Sequence, residues 1–321
     1  MNYENLSESV RSFLMLDEPS LGGGTTILAR SLVQKINPEI WKRINLIVGG
    51  EDKHPLSENK KNVIWIHDDI YPPHRNNFAN PIFLKKIDCI VFVSHWQYQM
   101  YRTYYDLPEG RCIVIQNATE KCNLIPQRDK KIKMIYATTP FRGLNVLLDA
   151  FEILNRSDVE LEVYSSTIVY GKSNHENTEK IFLPVFERAS QTSGVKYFGH
   201  VTNAELKNKL LAGHIYAYPS IFRETSCLSG IEAAISGMSV VTTNLGVLPE
   251  TLGSWATYVN FDKNMKNLSI KFAHALNTAI DQYWNADTQE RLEEQHNYFN
   301  SFWTWEKRVP EWESLFRQLS R

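Results

Sequence analysis

The sequence predicts an α/β protein built from two domains, each with a parallel sheet. Short apolar runs of the length of buried strands alternate with longer amphipathic segments along most of the chain. The 321 residues are more than one domain usually holds and suit two. A polar and charged stretch at residues 119–131, which contains Pro126, separates two sets of strands and is predicted to be the linker.

Composition excludes several classes of protein. The net charge is −1, so no overall field attracts nucleic acid or an anionic membrane surface. The four cysteines form no Cys-x-x-Cys pair, which favours buried thiols and a reducing compartment. No apolar run approaches the ~18 residues of a membrane span, and the first residues are too polar for a signal peptide. We therefore expect a cytoplasmic protein with no nucleic-acid partner and no transmembrane segment, while peripheral membrane contact stays open.

The first half of the chain contains five runs predicted to be buried strands, at residues 12–16, 44–48, 63–67, 90–94 and 112–115. A glycine loop, Gly22-Gly23-Gly24, follows the first of these and precedes a helical pattern. Such a loop lets the backbone approach a ligand closely, although a flexible turn is the alternative. It is not the Gly-x-Gly-x-x-Gly of dinucleotide enzymes, so a nicotinamide site is disfavoured.

A histidine and two carboxylates follow the third of these runs, in the sequence His67-Asp68-Asp69. They are expected at the carboxyl edge of the sheet, where ligands bind in α/β proteins. Adjacent carboxylates can hold magnesium, but no third ligand group is evident nearby. A structural histidine that caps the strand is the other interpretation.

The second half repeats the alternation. Strands are predicted at residues 133–137, 159–165, 215–218 and 239–242, and helices at 144–154, 204–211, 228–235 and 267–283. A last helix begins near Phe302 and buries Val309, Trp312 and Leu315.

The stretch from Tyr218 to Thr242 organises this half. Pro219 ends a buried strand, Thr225 and Ser226 are predicted to cap a helix, and Gly237 closes it. The start of such a helix offers unpaired N–H groups and partial positive charge, which suit a phosphate. Glu224 precedes the helix and Glu232 lies about two turns, ~12 Å, further along. The two carboxylates can therefore reach opposite ends of one elongated ligand. A solvated loop residue and an exposed helix residue are the alternative.

This arrangement resembles the Glu-x7-Glu motif of retaining glycosyltransferases with the GT-B fold, the family-4 group (glycosyl transferases group 1) in particular. The resemblance implies two Rossmann-like domains facing a cleft. It also implies that Glu224 lies near the donor sugar, that Glu232 holds the ribose, and that the helix start, with Cys227 and Leu228, faces the pyrophosphate.

Other positions extend the resemblance. Arg142-Gly143 matches the second basic position of the family's phosphate-binding turn. The first basic position is absent, because Ala137 and Thr138 stand there and Thr138 can donate hydrogen bonds but no charge. Arg142 as a solvent-facing turn residue is the alternative. The family also implies that Gly23 and Gly24 face the donor phosphates.

The family carries a histidine near the transferred sugar, which makes His67 the second catalytic candidate beside Glu224. Gln116-Asn117-Ala118 stands where the family usually has Pro-Asn-Gly at the hinge. The implied domains are an N-terminal acceptor-side domain at 1–120 and a nucleotide-sugar domain at 121–302. The resemblance also implies that residues 303–321 form a C-terminal helix that crosses back to the N-terminal domain.

The function implied by the resemblance is that of a retaining, hexosyltransferase-type enzyme. It would move a sugar from a nucleotide-diphosphate sugar to a glycan, lipid or small-molecule acceptor, with no metal and no cofactor besides the donor. A non-catalytic nucleotide- or glycan-binding module on the same fold is one alternative. A nucleotide-sugar epimerase is the other, and the fold alone does not choose among the three.

Overall fold

The structure is a computed structural model that describes residues 5–14, 22–49, 54–70, 76–125, 127–168 and 172–321. The chain divides into two compact units. The first comprises Met1–Ala118 and Trp303–Arg321, and the second comprises Thr119–Phe302. Each unit contains one sheet whose strands all pair in parallel, so the prediction of an α/β protein with two parallel sheets is confirmed.

The strands, in chain order, are β1 (Ile44–Val48), β2 (Lys61–Ile66), β3 (Cys89–Phe92), β4 (Cys112–Val114), β5 (Ile132–Tyr136), β6 (Val159–Val163), β7 (Val195–Tyr197), β8 (Ile215–Tyr218), β9 (Ser239–Thr243) and β10 (Ala256–Val259). The α-helices are α1 (Glu8–Leu14), α2 (Gly24–Lys35), α3 (Pro81–Lys85), α4 (His95–Tyr104), α5 (Leu144–Leu154), α6 (Lys172–Gln191), α7 (Asn203–Ala212), α8 (Leu228–Ile235), α9 (Leu248–Leu252), α10 (Met265–Gln282), α11 (Ala286–Phe302) and α12 (Trp305–Leu319). No described helix is both long enough and apolar enough to cross a lipid bilayer.

The sheet of the first unit has the order β1-β2-β3-β4, so each strand pairs with its neighbours in the chain. Strands β1, β2 and β3 are almost wholly buried, which is the pattern of a parallel sheet covered on both faces. The edge strand β4 is more exposed. Helix α12 belongs to this unit and packs two aromatic rings on it. The Trp312 ring lies 4.9 Å from that of Trp65, and Phe316 lies 5.6 Å from Trp41. Trp303 and Trp305 are buried as well.

The strand predicted at residues 12–16 is wrong where the structure describes it, because residues 12–14 end helix α1 and 15–16 lie outside the described residues. Val10 and Ser9 are the buried residues of this helix, and Leu6, which precedes it, is buried as well. Two serines of this segment bond the outer edge of β1. The Ser7 hydroxyl donates to the Leu46 carbonyl, and the Val48 N–H donates to Ser9 Oγ at 2.9 Å. These bonds occupy backbone groups of the edge strand, which would otherwise lack partners.

The sheet of the second unit has the order β10-β9-β8-β5-β6-β7. The chain starts at β5, extends in one direction through β6 and β7, and then returns to the other side of β5 with β8. The strand order therefore reverses between β5 and β8. In open α/β sheets this point leaves a crevice at the carboxyl ends of the two strands, where ligands bind.

The segment that opens the second unit is held at the opposite, amino-terminal side of the sheet by Arg128. Its guanidinium donates to the carbonyls of Ser236 (2.6 Å), Gly237 (2.8 Å) and Leu211 (3.3 Å), and to the Tyr283 hydroxyl (3.0 Å). Three of these acceptors belong to the ends of α7 and α8, whose last carbonyls have no partner within the helix.

We predict that Arg128→Ala lowers the free energy of unfolding of the second unit by about 2–3 kcal/mol, because several partly buried carbonyls lose a charged donor. Urea denaturation measures this. Lys271→Ala is the matched control. It removes an exposed cation paired with Asp262 and should cost less than about 1 kcal/mol. Equal losses in both variants would contradict the anchoring role of Arg128.

Candidate functional site

The candidate site lies in the second unit, where two loops leave the carboxyl ends of β5 and β8. After β5 the chain makes a short 3-10 turn, Pro140–Arg142, before Gly143 leads into α5. After β8 it passes through Pro219 to Glu224 and enters α8. This is the reversal point of the strand order, so the position itself marks a ligand site.

Gly143 allows the first loop to lie directly on the second. Its φ is +130°, and a Cβ at this position would lie 2.2 Å from the carbonyl oxygen of Pro219. The Ile221 N–H also donates to the Arg142 carbonyl at 3.2 Å. Only glycine accepts both this backbone conformation and this approach. The contact places the Arg142 side chain over the loop that carries Glu224.

Arg142 and Glu224 form an ion pair that Tyr218 completes. Arg142 Nη1 and the Tyr218 hydroxyl each lie 2.5 Å from the same carboxylate oxygen, Glu224 Oε1. The guanidinium also lies 4.4 Å from the centroid of the Phe222 ring. Glu224 is 6% exposed. The alternative of a solvated Glu224 is therefore wrong. Arg142 is held by the ion pair, while 23% of its side chain stays exposed.

Helix α8 begins beside this pair, but its cap differs from the prediction. The N-cap is Cys227, in the left-handed conformation with φ +60°, and it makes no side-chain cap hydrogen bond. Thr251 Oγ1, on α9, donates to the Ser226 carbonyl at 2.9 Å. This bond fixes the residue that immediately precedes the N-cap of α8. The Ser226 hydroxyl is buried without a hydrogen-bond partner among the described residues. A helix start without a cap, next to an unpartnered hydroxyl, can receive an anion.

Two further hydroxyls without partners lie at the same edge of the sheet. Thr139 Oγ1 follows β5 and Ser165 Oγ follows β6, and both are buried without a hydrogen-bond partner among the described residues. Thr138, the predicted donor-binding residue, is the second residue after β5 and is half-buried. These groups donate hydrogen bonds but carry no charge, so Arg142 is the cation that the β5 loop supplies.

The thiol of Cys227 is buried at the start of α8. Burial raises its pKa to about 12, so the thiol stays protonated at neutral pH. A non-glycine residue in the left-handed conformation is strained, and such residues often mark functional sites.

Glu232 lies on the second turn of α8, about 6 Å beyond Leu228 along the helix. It is partly buried, and the Thr119 hydroxyl donates to its Oε1 at 3.4 Å. Burial raises the pKa of Glu232, while the nearby Lys207 ammonium acts in the opposite direction. Sequence analysis missed Tyr218, Thr119 and Lys207. For Tyr218 the sequence held one signal, because a tyrosine in a buried strand needs a hydrogen-bond partner for its hydroxyl.

In the first unit, Gly23 and Gly24 stand at the start of α2, where Gly23 is the N-cap without a side-chain hydrogen bond. The glycine loop follows helix α1 rather than the predicted strand. Gly22 has φ +142°, and a Cβ there would lie 2.6 Å from Thr26. The turn at Gly22 therefore requires glycine. The role of Gly23 and Gly24 in binding the donor stays a prediction.

His67 follows β2 and is buried, with 8% of its surface exposed. Its ring centroid lies 4.4 Å from that of Trp65. Burial lowers the pKa of His67 to about 4 against the opposing effect of Asp68, so the imidazole is neutral at pH 7. Gln97 Nε2 donates to the Asp68 carbonyl at 2.8 Å and fixes this strand end. Among the described residues no group of three His, Cys, Asp or Glu side chains could hold a metal ion. The catalytic role of His67 stays a prediction.

Comparison with known proteins identifies the family. A family model described as glycosyl transferases group 1 matches residues 116–296, which include Arg142, Glu224 and Glu232. The chain belongs to the group 1 glycosyl transferases. The matched residues fall mostly in the unit that carries the candidate site.

One relative by sequence and two solved structures show what this chain is similar to. An uncharacterized 41.2 kDa protein in the cps region of Klebsiella pneumoniae is 24% identical over 237 residues, which is 69% of this chain but 60% of that protein. The crystal structure of a glycosyltransferase from Rickettsia africae superposes with a TM-score of 0.67 at 18% identity, covering 95% of this chain and 84% of the other. HepE from Anabaena, in complex with UDP and glucose, gives a TM-score of 0.66 at 13% identity and covers 94% and 84%. The predicted GT-B fold is confirmed.

We predict that acid destabilises the first unit through His67. The unfolded histidine has a pKa of about 6.5, while the folded one is near 4. Between these values the unfolded state binds a proton that the folded state does not, so the free energy of unfolding falls as pH drops, by up to about 3 kcal/mol. Chemical denaturation at several pH values measures the slope. His67→Asn should flatten it, and an unchanged slope would contradict the prediction.

Gly143→Ala should lower the free energy of unfolding of the second unit by more than about 2 kcal/mol. The added Cβ cannot coexist with the Pro219 carbonyl, and the φ of +130° is unfavourable for alanine. Gly110→Ala is the control, because a Cβ at Gly110 meets nothing within 4 Å. Thermal or urea unfolding of both variants checks this, and a stable Gly143→Ala protein would contradict the tight docking of the two loops.

Proposed function

We propose that this glycosyltransferase moves a sugar from a nucleotide-diphosphate sugar to a glycan, lipid or small-molecule acceptor, with retention of the anomeric configuration and without a metal ion. One observation carries the proposal. Arg142, Glu224 and the uncapped start of α8 converge where the strand order of the second unit reverses. HepE, which shares the fold, binds UDP and glucose, and this supports a nucleotide sugar as the donor.

The diphosphate of the donor is proposed to bind between Arg142 and the start of α8. A guanidinium can grip two phosphate oxygens at once, and the N–H groups of Cys227 and Leu228 add the partial positive charge of the helix start. The hydroxyls of Thr138, Thr139 and Ser226 would supply further hydrogen bonds in place of a second cation. These donors stabilise the charge that develops on the departing nucleotide, which is the chemical work of the site.

The two carboxylates are proposed to bind the sugars at either end of the donor. Glu232 would accept hydrogen bonds from the ribose hydroxyls, and Glu224 from the sugar that is transferred. His67, Gly23 and Gly24, which belong to the first unit, keep the roles that the family resemblance implies for them. All four cysteines are free thiols in the structure, which supports a cytoplasmic location.

The proposal is tested by calorimetric titration of nucleoside diphosphates and their sugars into the whole protein. Arg142→Ala should weaken binding of the nucleotide sugar by roughly 10- to 150-fold, because a charged hydrogen bond is worth about 1.5–3 kcal/mol. Arg142→Lys should recover part of the loss, and a chelator should change nothing. Arg188→Ala is the control, since Arg188 pairs with Asp149 and Glu152 away from the site.

Normal donor binding by Arg142→Ala would refute the phosphate site. Incubation of the wild-type protein with a bound donor separates the alternatives. Slow release of free sugar supports a transferase, conversion of the donor to an epimer identifies an epimerase, and binding with no turnover indicates a non-catalytic module.

A further inference from the structure

Tyr218, the last residue of β8, is packed in the core of the second unit. Its ring is 1% exposed and lies 6.2 Å from that of Tyr136 and 6.0 Å from that of Tyr216. Thr242 Oγ1 donates to its backbone carbonyl at 2.7 Å. The hydroxyl therefore presents a donor at a position set by the core of the sheet rather than by a loop.

That hydroxyl and Arg142 share one acceptor. Both donate to Glu224 Oε1 at 2.5 Å, and two donors occupy both lone pairs of that oxygen. Among the described residues no hydrogen bond is recorded to Glu224 Oε2. The carboxylate therefore has one oxygen that holds it in place and one that can accept a hydrogen bond from a ligand. Burial raises the pKa of Tyr218 well above its ordinary value, which keeps the hydroxyl a donor.

The two donors differ in what a ligand does to them. If a diphosphate binds Arg142, the guanidinium must divide its N–H groups between phosphate oxygens and Glu224. Tyr218 faces only Glu224 and keeps its hydrogen bond throughout. The hydrogen bond from Tyr218 to Glu224 is thus independent of phosphate binding, whereas the one from Arg142 is not.

We infer that Tyr218 is the positioning residue for Glu224, and that its hydroxyl fixes the carboxylate so that Oε2 meets a single hydroxyl of the transferred sugar. This inference rests on the proposed function. The inference assigns Tyr218 to the sugar end of the donor and not to the nucleotide end. Loss of a merely structural residue would affect binding of the nucleotide and of the nucleotide sugar alike.

The test compares Tyr218→Phe with Tyr216→Phe. Tyr216 lies on the same strand, is equally buried, and donates to Ser229 Oγ at 2.8 Å instead of to Glu224. For each variant, calorimetry measures the affinity for nucleoside diphosphates and for the corresponding nucleotide sugars. The ratio of the two affinities cancels any general loss of folded protein or of phosphate binding.

For Tyr218→Phe we expect the nucleotide-sugar affinity to fall roughly tenfold while the nucleoside-diphosphate affinity changes less than about twofold. Tyr216→Phe should leave the ratio at its wild-type value. Tyr218→Met, a second apolar replacement, should give the same result as Tyr218→Phe. In a Glu224→Gln background, Tyr218→Phe should have little further effect on the ratio, because the two residues act as one unit.

Three outcomes would overturn the inference. In the first, Tyr218→Phe and Tyr216→Phe leave the ratio equally unchanged although the wild type binds nucleotide sugar; the proposed function then stands and only the role of Tyr218 fails. In the second, Tyr218→Phe weakens the bare nucleotide as much as the nucleotide sugar. In the third, the wild type binds nucleoside diphosphates but gains nothing from any sugar, and the proposed function fails together with the inference.

Discussion

The close approach of Gly143 to the carbonyl oxygen of Pro219 is the contact on which the candidate site depends. It joins the loop after β5 to the loop after β8, and it needs a residue with no Cβ and a φ of +130°. Without this contact Arg142 would sit in an independent turn. With it, Arg142 lies on Glu224 at 2.5 Å, and both face the start of α8.

The strand order makes that contact possible. In the second unit the order reverses between β5 and β8, so two loops that are about 80 residues apart in the chain emerge side by side. In the described sheet of the first unit the order never reverses. The two units thus share a parallel architecture. Among the described strands, the reversal in the second unit gathers a guanidinium, a carboxylate and helix N–H groups at one place.

The buried polar groups of the site follow one pattern. Glu224 is buried with its charge balanced by Arg142, and its hydrogen bonding is completed by Tyr218. A buried carboxylate left without such partners would be costly. Thr139, Ser165 and Ser226 instead keep buried hydroxyls without a partner in the described structure. One group of side chains is satisfied by the protein itself, and the other is buried without a hydrogen-bond partner among the described residues.

The sequence by itself determined the parallel α/β class and most of the strands, because buried strands and helix starts are encoded in local runs and caps. It also placed Glu224 before helix α8 and Glu232 on it. It failed at residues 12–14, where a short apolar run suits a strand or a helix equally and the chain forms the end of helix α1. It could not show that Cys227 rather than Ser226 precedes α8, since α9 holds that loop from a distance. Nor could it pair Arg142 with Glu224 or find Tyr218, because every residue of β8 is buried and alternation carries no signal. Those contacts join residues far apart in the chain, and only tertiary packing sets them.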